Sequence, residues 1–228
     1  MNPATICHQV LGVISARHST RAYTDKPVND EQLHEILGTA RWAPSGVNTQ
    51  PWQVAIVRGQ TKQTITEHLT KARQDERPPE PDYAYYPDQW DEPYAKRRVT
   101  CGLALYSALE IERHDKQAKL KAWYNNYHFF GAPVGLLFFV DKRMNQGSWL
   151  DMGMFLQNIM IAAQACGLAT CPQASLAEYP AIIREILGME DGYALICGMS
   201  LGYPDSNHPV NQYRLERAPV EQFTRWYD

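Results

Sequence analysis

Residues 44–52 read PSGVNTQPW. Pro44 and Gly46 set a tight turn, and Pro51 forces the residue before it into an extended conformation. Asn48 and Gln50 stand between them, two side-chain amides that donate and accept hydrogen bonds at once. Such groups suit a ligand carrying several hydroxyls and carbonyls. The stretch reads equally well as an Asx-type turn that feeds a strand, and taken alone it does not separate the two.

Regular structure is legible on both sides of this turn. Upstream, PVNDEQLHEILGTARWAP (27–44) predicts a helix, with Asn29 and Gln32 as a capping box and Leu33, Ile36, Leu37 and Ala40 as an apolar stripe. It is the first well-signalled helix of the chain. Downstream, QPWQVAIV (50–57) has the residues of a strand, and a helix over about residues 61–72 follows. The excursion of about residues 75–95 differs in kind. It holds five prolines, seven acids against one arginine, and the aromatics Tyr83, Tyr85, Tyr86, Trp90 and Tyr94. That much proline prevents a regular helix, and that many aromatics are unusual for a disordered linker. An ordered surface segment is expected, either covering a site or simply packed.

Residues 93–115 predict one more helix. GAPVGLLFFVD (131–141) is apolar enough for a strand buried on both faces. GSWLDMGMFLQNIMIAAQACGLATCP (147–172) opens as a helix apolar almost all round, with small residues that let a helix or a flat ligand approach closely. Its continuation, GLATCPQASLAE (167–178), reads as a helix–loop–helix connection whose amides near Gln173 and Ala174 could face a planar ligand. SLAEYPAIIREILGM (175–189) predicts a helix with Ser175 and Glu178 as capping box and Gly188 as terminator. YALICGMSLGYPD (193–205) is a further buried strand. Helices interleave with few strands, giving a single α+β domain over residues 1–228.

Composition narrows the function classes. The net charge is −3, so no overall basic field draws nucleic acid or an anionic membrane. The opening residues lack the n- and h-regions of a signal peptide, and no run is long and apolar enough to span a bilayer. The five cysteines have neither CxxC spacing nor a histidine completing a zinc site, so free thiols in a reducing cytoplasm and no metal are expected. No GxGxxG, P-loop, HExxH or GxSxG motif occurs. An enzyme of this composition would leave the chemistry to a cofactor.

Two clusters of cationic donors lie at opposite ends of the chain. RHSTRAY (17–23) alternates Arg17, Ser19 and Arg21, which in an extended segment share one side. NQYRLERAP (211–219) carries Arg214 and Arg217. Arginine forks match phosphate or carboxylate oxygens. Each cluster alone also reads as surface arginines paired with acids; two such clusters favour one shared anion.

In this order and spacing the four stretches resemble the FMN-dependent nitroreductase family. Its members open with an Arg-Arg/Lys-Ser-x-Arg segment, here RHSTR, and continue with Pro-Ser-x-x-Asn-x-Gln-Pro-Trp, here PSGVNTQPW. An apolar helix then ends in a Gly-Leu-x-Thr-type loop, here GLATCP, and SLGYPD precedes an arginine-rich tail. The likeness runs from about Arg17 to Pro219. His18 departs from the pattern, standing where a basic residue is usual.

The resemblance implies a mixed, mainly antiparallel sheet flanked by helices in an interlocked homodimer, with the helix from Trp149 to Cys166 central to the dimer. It implies Arg17, His18, Ser19 and Arg21 around the FMN phosphate and nearby ring edge, with Arg217 and Arg214 completing the grip. Asn48 and Gln50 would come from the neighbouring subunit to the ribityl chain or ring. The backbone of Pro172, Gln173 and Ala174 would lie near flavin N5 and O4. The implied activity is ping-pong hydride transfer through N5, from NADH or NADPH to a flat nitroaromatic or quinone-like acceptor, with no catalytic side chain required. Tyr85, Tyr86, Trp90 and Tyr94 are the expected contacts to acceptor or nicotinamide. Lys96, Arg97 and Arg98 are candidates for a 2′-phosphate. Reductive dehalogenation, other flavin chemistry on the same fold, and a flavin store or sensor without turnover remain alternatives.

Overall fold

The computed structural model describes residues 2–228. Along the chain come α1 (Pro3–Ala16), α2 (Asp30–Ala40), β1 (Gln53–Val57), α3 (Gly59–Gln74), α4 (Tyr94–Ala108), α5 (Lys116–Tyr124), β2 (Val134–Asp141), α6 (Gln146–Ala165), β3 (Ala169–Gln173), α7 (Pro180–Leu187) and β4 (Tyr193–Gly202). The strands form one sheet of order β1-β2-β4-β3, antiparallel at every pairing. Among the described residues, the parallel pairing is the isolated bridge of Ser19 with Thr170.

β2 is buried on both faces because its alternate residues enter two different cores. Leu136, Phe138 and Val140 pack with Leu33 and Ile36 of α2 and with Phe155 and Ile159 of α6. Leu137 and Phe139 pack with Ile65 and Leu69 of α3 and Ile183 of α7. Each of these four helices, α2, α3, α6 and α7, therefore covers one sheet face with its apolar side. The capping box at Asn29 and Gln32 is present, and Gly188 ends α7 in the left-handed conformation.

α1 precedes the helix that the sequence signals first; none of its residues is buried, so no core-facing stripe announces it. Three expectations need correction. The single helix expected over 93–115 is α4 followed by a break at Glu110, which has φ +53°, with α5 beyond. The connection after α6 contains a strand, β3, added to the free edge of β4. Pro172 is tolerated there because the strand lies at the sheet edge. Ser175 and Glu178 form no capping box: Glu178 is held by Tyr127 at 2.8 Å and Arg73 at 3.2 Å, and α7 starts on Pro180 at its first position.

Candidate active site

Residues 17–23 run extended beside β3. Thr20 N–H donates to the Thr170 carbonyl at 3.1 Å, and Tyr23 pairs with Pro204. The chain's tail is fastened to the same segment by one buried side chain. Asn211 Oδ1 accepts from Arg21 N–H at 2.8 Å, while its Nδ2 donates to the carbonyls of Ala22 and Asp205, both at 2.8 Å. The arginines of the two chain ends are brought together by these backbone bonds. Asn211 stood in the quoted tail motif; its role needs both chain ends in view, which no local pattern provides.

The cluster so formed is cationic and without acid partners. Burial lowers the Arg17 pKa and the charge of Arg217 lowers it further. Burial, then the charges of Arg214 and Arg17, outweigh backbone contacts to hold His18 below its ordinary range. Among the described residues no ion pair involves Arg17, Arg21, Arg214 or Arg217. Arg214 and Arg217 donate to backbone carbonyls, and Arg21 to the Ser19 carbonyl and to Tyr213 Oη at 3.4 Å. The surface-pairing alternative therefore lacks its acids. Burial raises the Cys171 thiol pKa, while Arg21, Ser19 and Arg17 pull it down.

Next to the cluster is a cavity of about 450 Å³. Pro172, Gln173 and Ala174 line it together with Tyr85, Tyr86, Arg21, Trp123 and Phe130. Gln173 is 3% exposed; its Nε2 donates to the Asn126 carbonyl at 2.7 Å, leaving Oε1 buried without a partner. Neither Trp90 nor Tyr94 lines the cavity, although Trp90 adjoins Tyr86, ring centroids 5.4 Å apart. Leu176 packs against Gly198, where a Cβ would come within 2.1 Å, and this close approach sets the corner after β3. A wider recess of about 920 Å³ shares Arg21 and Phe130 but reaches neither Pro172 nor Tyr85.

The aromatic excursion is held by a buried pair. Asp82 accepts from Arg184 at 2.6 Å and from Leu195 N–H at 2.9 Å, with Lys142 at 3.3 Å. Burial alone would raise the Asp82 pKa; Arg184, Leu195 and Lys142 bring it below the usual carboxylate range. Tyr83 donates to the Ile196 carbonyl and meets Trp149 edge-on at 4.5 Å. Asp82, Trp123 and Phe130 carried no local signal, since each acts across the fold.

The 44–52 turn is elsewhere on the surface and does not line this cavity. Gly46 N–H donates to the buried Asp151 at 3.2 Å, and Gln50 N–H to Ser45 Oγ at 3.0 Å. Val47, Asn48 and Gln50 have φ of +45°, +60° and +48°, so Gln50 does not take the extended conformation expected of the residue before Pro51; the turn's own bonds override that preference. Val47 is also 98% exposed, and a β-branched residue in this region is strained. Asn48 and Gln50 are exposed, their amides free toward solvent apart from Gln50 Nε2 to the Asn48 carbonyl at 3.2 Å.

A two-faced antiparallel sheet with a cationic corner and an aromatic-walled cavity defines a class, and the chain belongs to it: it is a member of the nitroreductase family, whose family model matches residues 14–203. It is 37% identical to the 4-nitrobenzoate reductase of Pseudomonas putida, covering 94% of this chain and 93% of that protein. It is 36% identical to the nitrobenzene nitroreductase of Ectopseudomonas oleovorans, covering 93% and 94%. Among solved structures, the FMN and NADPH-dependent nitroreductase NfnB from Sphigopyxis sp. strain HMH superposes with a TM-score of 0.94 at 36% identity, covering 96% of this chain and 99% of that one. The FMN-dependent NfnB of Mycobacterium smegmatis, in complex with NADPH, gives 0.92 at 32% identity, covering 97% and 100%.

Proposed function

We propose that the protein is a homodimeric FMN-dependent oxidoreductase that uses NADH or NADPH to reduce nitroaromatic acceptors in the cytoplasm. The observation that carries this reading is the convergence of Arg17, His18, Arg214 and Arg217 without an acid partner beside a cavity walled by Pro172, Gln173 and Ala174. A doubly charged phosphate would satisfy that cluster, and a flat ring suits the adjoining cavity. FMN joins the two features in one molecule, so the residues present fit it.

Arg17, Ser19, Arg21 and Arg217 would hold the phosphate and the ring edge, with His18 and Arg214 beside them. Bound there, FMN supplies hydride acceptance at N5 from a nicotinamide and hydride donation to a second substrate. The chain's own contribution is positional and electrostatic. Arg21, which lines the cavity, would stabilise negative charge on a ring bound there. The Pro172–Ala174 backbone fixes one wall, and Tyr85 and Tyr86 offer flat apolar surface to a donor or acceptor. One cavity serving both in turn gives ping-pong kinetics.

The dimer reading is supported by what a single chain leaves bare. α1 exposes Ile6, Val10, Leu11 and Ile14, α6 exposes Leu150 and Met154, and the tail exposes Phe223, Trp226 and Tyr227. So much apolar surface on one chain calls for a partner. A second copy would cover it and bring its own 44–52 turn, with Asn48 and Gln50, to the site. All five cysteines are free, which is compatible with a reducing compartment.

Purified protein should be yellow, bleach with NADPH under anaerobic conditions, and recolour on adding a nitroaromatic. A sample that bleaches but never recolours would turn the reading toward a store or another acceptor chemistry. Protein that cannot be reconstituted with FMN would overturn it.

A further inference from the structure

His18 places a titratable ring inside a cluster whose other members keep their charge. Its Nδ1 is 3.3 Å from the Ala16 carbonyl, a contact that needs the proton on Nδ1. Nε2 of the singly protonated ring is then a lone pair, and this atom is buried with no partner. Arg214 from the tail and Arg17 from the same segment are the charged groups facing the ring, with backbone groups of Ala16 and Asn211 against it. A lone pair gains nothing from a nearby anion; a protonated Nε2–H would donate to it.

We propose that the cluster takes up a proton together with its phosphate ligand, and that His18 Nε2 receives it, becoming a third charged donor beside Arg17 and Arg214. The inference rests on the FMN reading above and concerns how the phosphate is gripped. In the free protein, burial and the two guanidinium groups hold the ring neutral near pH 7. A dianion placed among them reverses the balance of charge and raises the pKa of the ring. The added affinity is then fully present below the free-state pKa, and it is lost as pH rises through the higher bound-state pKa. A lysine or arginine at this position would stay charged and show no such loss.

The test compares the full-length protein, stripped of FMN, with its His18→Lys variant. Each is titrated with FMN by flavin fluorescence from about pH 5.5 to about pH 8.5, spanning the imidazole range. The phosphate's own second ionisation, near about pH 6, acts on both proteins alike. The expected result is a dissociation constant that rises with pH in the wild type relative to His18→Lys, by up to about tenfold per pH unit. Calorimetry of the wild type in buffers of different ionisation enthalpy should also show net proton uptake near about pH 7.5, where the phosphate is already dianionic. Parallel pH profiles, or no proton uptake by the wild type, would overturn the inference while leaving the FMN site intact. Absence of FMN binding by either protein at every pH would instead refute the reading on which it rests.

Discussion

The cationic corner beside β3 and the 44–52 turn carry the chain's least and most specific motifs, and they are built differently. Around β3 one chain supplies its own fastenings: Asn211 joins the tail to the 17–23 segment, and Thr20 joins that segment to the sheet. The turn instead spends backbone strain at Val47 to hold two amides out into solvent. Strain at an exposed position persists only where the surroundings over-determine it, here through Asp151 and Ser45. On the reading proposed above, a single chain completes one half of the site and presents the other half outward, for use by a second copy.

The sharpest way to break this comparison is to remove the corner's charge. Arg17→Ala combined with Arg217→Ala should weaken FMN binding by well over about a hundredfold, since a charge-assisted bond contributes about 1.5–3 kcal/mol each. Fluorescence titration measures it, and a change under tenfold would disconnect the corner from the phosphate. Asp82→Ala comes next. Arg184 would keep the largely exposed Asp191 at 3.1 Å and the Tyr193 carbonyl at 3.0 Å, so loss of Asp82 should cost about 1–3 kcal/mol of stability, read by urea denaturation. Because the Asp82 pKa is depressed, that contribution is present above the ordinary carboxylate range and disappears as pH falls through the folded-state value.

Smaller effects test the cavity wall and the turn. Tyr85→Ala and Tyr86→Ala should each raise KM for a nitroaromatic by about two- to tenfold, the worth of one aromatic contact. Tyr94→Ala should change it less, because Tyr94 does not line the cavity. Unchanged steady-state kinetics in both cavity variants would remove the excursion from substrate binding. Val47→Gly should leave stability within about 1 kcal/mol of the parent or slightly above it. Relief of the left-handed φ offsets the greater chain entropy of glycine. A marked loss in thermal denaturation would show that the valine side chain has a partner.

Much of the fold was legible where one face of an element meets the core. α2 shows its stripe and both members of its capping box, and β2 and β4 show continuous apolar runs because both sheet faces are covered. α1 was not legible, since its apolar residues remain exposed and give no inward stripe. β3 was hidden by Pro172 and by its shortness; it exists because β4 offers a free edge. The arginines of the site could be read from their types, but their convergence depends on Asn211 and on the bridge from Ser19 to Thr170, which join residues far apart in sequence. The anchoring of the excursion by Asp82 on Arg184 was likewise beyond any local pattern.

Subunit mixing tests the central claim most directly. One chain would carry Arg17→Ala and Arg217→Ala, the other Asn48→Ala and Gln50→Ala, and the two would be co-expressed with different tags and isolated as the mixed dimer. If each site takes its arginines from one chain and its amides from the other, the mixed dimer regains one intact site and binds FMN at half the wild-type stoichiometry with wild-type affinity. If the two halves belong to the same chain, every site in the mixed dimer stays defective, and no tight binding returns.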